Sequence, residues 1–351
     1  MRILALLAIV AMQFVPGPSS PGSLVLAQFE TYLEALRTQA GIPGLSATLV
    51  GEQSVVWERG FGRQDLAQFA PVTGDTAFQL DGLTQIVTAT LVLRCVEEGR
   101  LTLDDQVGRF DPFSLEPAAT IRDVLTHTSG PPGALMYAYR PERLAPLQPA
   151  IRECTGNSYR ETVATTLDQM GMFSSVPGAD VIGLAPPAEG IPEFTTVERY
   201  AQVLGRLATP YAVDFRGNAS ASLYSATTLT PASGLISTGR DLALFDLALK
   251  NGLLISPAMR VASWQPPLDQ NLQPLPHALG WFAQSFRGEP VIWQFGMSDQ
   301  ASSSLVVTLP ARGLTLILFA NSDGLVKPFA LVGGDLTASP FGRVFLGFFV
   351  P

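Results

Sequence analysis

Lysine is almost missing from this sequence: Lys250 and Lys327 are the two in 351 residues, and arginine carries the rest of the positive charge. The balance is acidic, with a net charge of −8 and a pI near 4.9. Such a field repels a phosphate backbone, so nucleic acid is not an expected partner. Histidine is equally scarce, at His127 and His277, and so is cysteine, at Cys95 and Cys154. No ligand-like spacing relates these four, which argues against a metal centre. Each cysteine sits in an apolar helical pattern. A bridge is open to them in an oxidising compartment, but buried free thiols are the favoured expectation. Phosphate-loop and dinucleotide glycine patterns are absent, and no cofactor is expected.

Hydrophobic residues make up 47% of the chain and charged residues 15%, enough apolar material for a large core in one domain or in two halves that share it. The first residues read as an export signal. Arg2 supplies a positive start, residues 3–12 an apolar run, and Val25-Leu26-Ala27 a cleavage motif. The run is too short to cross a bilayer, which takes ~20 residues, and Pro16, Pro18 and Pro21 would break a continuing helix. The expectation is a signal over residues 1–27 and an exported chain, periplasmic or extracellular. No transmembrane segment would remain once the signal is removed.

Residues 28–38 have helical spacing, with Phe29, Leu33 and Leu36 on one face. Residues 44–50 and 54–58 read as a hairpin, and residues 84–99 as a helix stopped by Gly99. The stretch from there to about Lys250 is mostly helices and loops. Four β-rich runs follow, at 279–286, 290–295, 303–309 and 314–320, and the apolar run 341–349 reads as a terminal helix. Strands at both ends with helices between predict an α/β fold, in which one antiparallel sheet is built from the two ends and flanked by helices. The sheet part covers about 28–77 and 251–351, and a mainly helical insertion about 78–250.

Four segments carry a resemblance. They are Phe78-Gln-Leu-Asp-Gly-Leu-Thr-Gln85 with Val96-Glu-Glu-Gly-Arg-Leu-Thr-Leu-Asp-Asp105; Thr120-Ile-Arg-Asp-Val-Leu-Thr-His-Thr-Ser-Gly130; Pro231-Ala-Ser-Gly-Leu-Ile-Ser-Thr-Gly-Arg-Asp241; and Leu305-Val-Val-Thr-Leu-Pro-Ala-Arg-Gly-Leu314 with Ala320-Asn-Ser322. In this order they resemble the serine β-lactamase and penicillin-binding-protein superfamily, in its class C β-lactamase, DD-peptidase and esterase branch. The resemblance implies the β-lactamase-like fold and three motifs: Ser-x-x-Lys at a helix start, Tyr-x-Asn from the helical part, and Lys-Thr-Gly or His-x-Gly on a strand. A serine hydroxyl is a weak nucleophile and needs a nearby base, and three residues apart on a helix puts both on one face.

Here the motif positions hold other residues. Gly82 stands at the serine and Gln85 at the lysine, and no Ser-x-x-Lys occurs elsewhere in the chain. Counting back from Thr155-Gly156-Asn157-Ser158-Tyr159 places Tyr139 and Pro141 at Tyr-x-Asn, with Tyr137 competing for the alignment. On the strand, Gln294 replaces the cation and Gly296 is kept. By the same resemblance, oxyanion donors would be the backbone N–H groups of Gly82 and Met297, while Asp81 could instead cap the helix and occupy such donors. His127 reads as part of a structural loop and His277 as a loop residue before a strand. Two function classes follow: a serine-hydrolase-like pseudoenzyme that binds a small acyl or peptide ligand non-covalently in the old cleft, or a hydrolase of esterase, peptidase or β-lactamase type with altered catalytic residues.

Overall fold

A computed structural model describes residues 22–183, 194–225 and 227–351. The first 21 residues of the expected signal lie outside this range. The expected cleavage motif, Val25 to Ala27, falls inside the first helix, α1 (Ser23–Gln39), whose Phe29 and Leu33 are fully buried.

The principal sheet has seven strands, with neighbours antiparallel throughout. The first part of the chain supplies β1 (Gly44–Val50), β2 (Val55–Asp65) and β3 (Ala70–Pro71). Three small sheets come from the middle: β4 (Phe78–Gln79) and β7 (Val176–Pro177) on either side of β10 (Leu235–Ser237), β5 (Thr128–Ser129) with β6 (Met136–Tyr137), and β8 (Tyr211–Val213) with β9 (Ala219–Ala221). The last part adds β11 (Phe282–Phe286), β12 (Glu289–Ser298), β13 (Ser302–Leu309) and β14 (Leu314–Ala320) to the principal sheet. Its order is β11-β12-β13-β14-β1-β2-β3, so the two ends of the chain meet at its centre, where Leu45 lies opposite Ala320 and Thr48 opposite Ile317.

β1, β13 and β14 are buried on both faces, which explains why they read as unbroken apolar runs and not as alternating ones. On one face Leu305, Val307, Leu316 and Leu318 meet α1 and the terminal helix α9 (Pro340–Phe349), with the Phe29 and Phe349 rings 5.2 Å apart. On the other, Val306, Ile317 and Phe319 meet α2 (Thr84–Glu97) and α7 (Gly239–Lys250). Ten consecutive residues of α2, Thr84 to Leu93, are buried, as expected of a helix packed on all sides. The remaining helices are α3 (Ile121–Leu125), α4 (Leu147–Thr155), α5 (Tyr159–Gln169), α6 (Phe194–Leu204) and α8 (Pro257–Ser263). Thr120 and Asp123 form a reciprocal capping box on α3, while Ser158 and Thr238 cap α5 and α7.

Two features correct or extend the sequence reading. Cys95 of α2 and Cys154 of α4 are joined in a disulfide, not free thiols as favoured from the sequence. The helical patterns located both residues on apolar faces, but two such faces that pack together place their thiols in reach, and one-dimensional periodicity does not report that. The second feature is Lys250, whose ammonium donates to the carbonyls of Val50, Gly51 and Gly313 and pairs with Asp246 at 2.7 Å. One half-buried cation thus ties the end of β1 and the β13–β14 turn to α7.

Candidate functional site

The site forms where α2 enters the core beneath β12. β4 pairs with β10, and the chain then makes a single 3-10 turn, Asp81–Leu83, before α2 begins. Asp81 is buried with a left-handed φ of 49°. Its carboxylate does not cap α2, contrary to one option from the sequence; it accepts from Gln79 Nε2 at 2.8 Å and Ser302 Oγ at 2.7 Å. Burial pushes its pKa up to about 7 against the pull of these two donors.

Gly82 faces β12 across a seam with no room for a side chain. A Cβ there would stand 2.6 Å from the Phe295 carbonyl oxygen and 3.2 Å from Gly296 Cα. A Cβ on Gly296 would meet Leu80 O at 2.1 Å and Gly82 N at 2.6 Å. Both glycines are therefore demanded by backbone approach. The Gln85 amide nitrogen lies 3.4 Å from the same Gly82 Cβ point, which is the shared helix face that the three-residue spacing predicts.

Gln85 is the centre of a buried hydrogen-bond chain with a fixed direction. The Arg140 backbone N–H donates to His127 Nδ1 at 3.2 Å, so the proton of that neutral ring sits on Nε2. His127 Nε2 then donates to Gln85 Oε1 at 3.1 Å, and Gln85 Nε2 donates to the Tyr139 hydroxyl at 2.6 Å. A second chain lies beside it. His277 Nδ1 donates to the Ala278 carbonyl at 2.8 Å, leaving Nε2 to accept from Gln294 Nε2 at 3.2 Å. Gln294 Oε1 in turn accepts from the Phe295 N–H. The imidazole rings meet edge to face at 4.6 Å, and Tyr139 packs 4.6 Å from His127.

Electrostatics agree with neutral rings. Burial, reinforced by His277 and Arg143, holds His127 well below the ordinary imidazole range, and burial alone takes His277 down to about 3. Burial also raises the Tyr139 phenol above its ordinary value, with only the Gln85 hydrogen bond opposing. None of these side chains supplies a charge near neutral pH, and neither imidazole has a serine or threonine hydroxyl among its hydrogen-bond partners in the described residues.

The structure thus gathers Gly82, Gln85, Tyr139, Gln294 and Gly296 in one place. Pro141 lies outside the network, where it opens the 3-10 turn Pro141–Leu144. Tyr137 turns away and donates to the Val332 carbonyl. Met297 is on β12 opposite Ser303, with its side chain at the surface. Sequence reasoning missed both histidines as members of the site. The available signal was weak: a chain with two imidazoles keeps each in a short loop, one after α3 and one before β11. Among the described residues no cluster of three or more potential metal ligands exists.

Comparisons with known proteins accord with this architecture. The sequence profile of the Beta-lactamase family matches residues 29–332. "Protein flp" of Staphylococcus aureus (strain MRSA252) is 30% identical over 111 residues, 30% of this chain and 22% of its own length. "Esterase EstB" of Burkholderia gladioli is 34% identical over 119 residues, 31% of this chain and 30% of its own. These matches span less than a third of the relatives' length. An octameric penicillin-binding protein homologue from Pyrococcus abyssi shares the fold at a TM-score of 0.72 and 19% identity, covering 92% of this chain and 77% of that one. D-alanine carboxypeptidase AmpC from Burkholderia cenocepacia superposes at 0.69 and 17%, covering 91% and 98%. With a profile match over most of its length and a fold shared with penicillin-binding-protein and carboxypeptidase structures, this chain belongs to the beta-lactamase family.

Proposed function

We propose that this protein is an exported, non-hydrolysing member of the family, a pseudoenzyme that acts by reversible binding of a small acyl or peptide ligand. The observation that carries the reading is the seam at Gly82. The position that should bear the nucleophile has no side-chain atom, and β12 occupies the space one would need. The other family positions support it. Gln85 does not titrate, Gln294 is neutral, and the two imidazoles are bonded to amides and backbone. Loss of one member of a serine-hydrolase triad has cost about a million-fold in rate, leaving only ~10³–10⁴ over water from binding and dipoles.

A ligand would lie outside the Gly82–Gly296 seam, against Tyr139 and the rim around Met297. A carbonyl suits these surroundings better than a carboxylate, because no lysine or histidine cation faces it. The test is intact-mass analysis of the purified protein after incubation with a fluorescent penicillin and with a fluorophosphonate. No adduct is expected; a stoichiometric adduct on any serine would overturn the proposal in favour of a hydrolase with a relocated nucleophile.

A further inference from the structure

A cavity lies on the same face of the sheet as the seam but further along the strands, between α7, α8 and the β13–β14 turn. Thr308, on its wall, pairs with Ile292, two residues along β12 from Gln294. Its volume is about 290 Å³. We propose that this cavity is a binding site for a single neutral sugar ring.

Three properties of the lining point there. The first is aromatic: Trp264 and Trp281 both face the space, one half-buried and one buried. Indole surfaces pack against the C–H face of a pyranose, which is apolar although its rim is not. Arg260 lies 5.4 Å from the centre of the Trp264 ring and steadies it.

The second is the type of polar group. Glu52, Asp246, Asn251 and Arg260 offer planar acceptors and donors around the aromatic walls, the mixture that a ring of hydroxyls requires. Arg260 Nε is buried without a hydrogen-bond partner, while Asp246 Oδ2 is held 2.7 Å from the Lys250 ammonium.

The third is charge. Glu52 and Asp246 are balanced by Lys250 and Arg260, so the cavity as a whole favours neither an anion nor a cation. Its size falls just below the range of about 300–1,000 Å³ for drug-sized ligand pockets, room for one ring and its substituents but not for a chain of rings.

The experiment is calorimetry together with tryptophan fluorescence on the full chain, titrated separately with D-glucose, D-galactose, N-acetyl-D-glucosamine and, as an aromatic competitor, indole. At least one sugar should bind with a dissociation constant in the millimolar range and shift the emission, and Trp264→Ala should weaken it about tenfold or more. Asn251→Ala, at an exposed position where folding is not at stake, should weaken the same sugar severalfold. Failure of every sugar to bind at concentrations up to about 50 mM would overturn the proposal. So would binding of indole alone, or sugar binding of undiminished strength in both variants.

Discussion

The carbonyl oxygen of Phe295 stands 2.6 Å from the point where a side chain on Gly82 would begin. Because the obstacle is backbone on a strand paired on both sides, it cannot swing aside as a flexible side chain would. Gly82→Ser, the first step of any attempt to rebuild the family nucleophile, should therefore lower stability by about 1–3 kcal/mol and leave ester hydrolysis at background. Urea denaturation and a p-nitrophenyl ester assay on the same preparation check both halves. A stable variant with measurable turnover would show that β12 yields more readily than its packing implies.

Gln85 satisfies two neighbours at once, accepting from His127 and donating to Tyr139. Gln85→Leu should cost about 1–3 kcal/mol, because it strands a buried imidazole N–H, whereas Tyr139→Phe, which removes one partner at the end of the chain, should cost about 0.5–1.5 kcal/mol. The double variant should cost less than the sum, since the Gln85–Tyr139 bond is counted in both single losses. Chemical denaturation of the three variants gives the cycle.

Acid stability should reflect two opposing groups. His127 and His277 have folded pKa values below the unfolded imidazole value near 6.5, so below that pH the unfolded chain binds protons that the folded one does not, and stability falls as pH falls. Asp81 runs the other way. Its folded pKa of about 7 exceeds the unfolded value near 3.8, so its contribution is full below 3.8 and is lost as pH rises through 7. Asp81→Asn should therefore gain on the native protein between pH 4 and 7, by roughly 4 kcal/mol at most if the whole shift is expressed. Melting curves at unit pH steps would reveal the divergence; parallel curves would mean that Asp81 is charged in the folded protein at all of these pH values.

The Cys95–Cys154 bridge closes a loop across 59 residues of the helical part. Chain-entropy arguments put its contribution at about 4 kcal/mol, with measured values commonly lower. Cys95→Ala with Cys154→Ala should lower stability by about 2–4 kcal/mol and loosen α4 from α2 before the sheet unfolds. Hydrogen exchange resolved by segment separates that order from a uniform loss.

Much of the fold was legible because it rests on local signals. The alternating and unbroken apolar runs located β1, β13 and β14, Gly99 marked the end of α2, and the 341–349 run announced α9. The closeness of residues 82, 85 and 296 was legible for a different reason: it follows from spacing along one helix and one strand. What the sequence hid depends on contacts between distant segments. The disulfide, the two imidazoles stacked against Tyr139, and the diversion of the Asp81 carboxylate to Ser302 each join residues tens to hundreds of positions apart. No periodicity encodes such meetings.

The placement of Lys250 bears on how the molecule can be handled. Its ammonium is spent inside the fold on three carbonyls and a carboxylate, and Lys327, the other lysine, is paired with Asp299 and Asp323 at a half-exposed position. Among side chains, reagents that seek primary amines therefore find one reachable target. A label or surface coupled at a side-chain amine would attach at Lys327, which fixes the orientation of every copy joined that way.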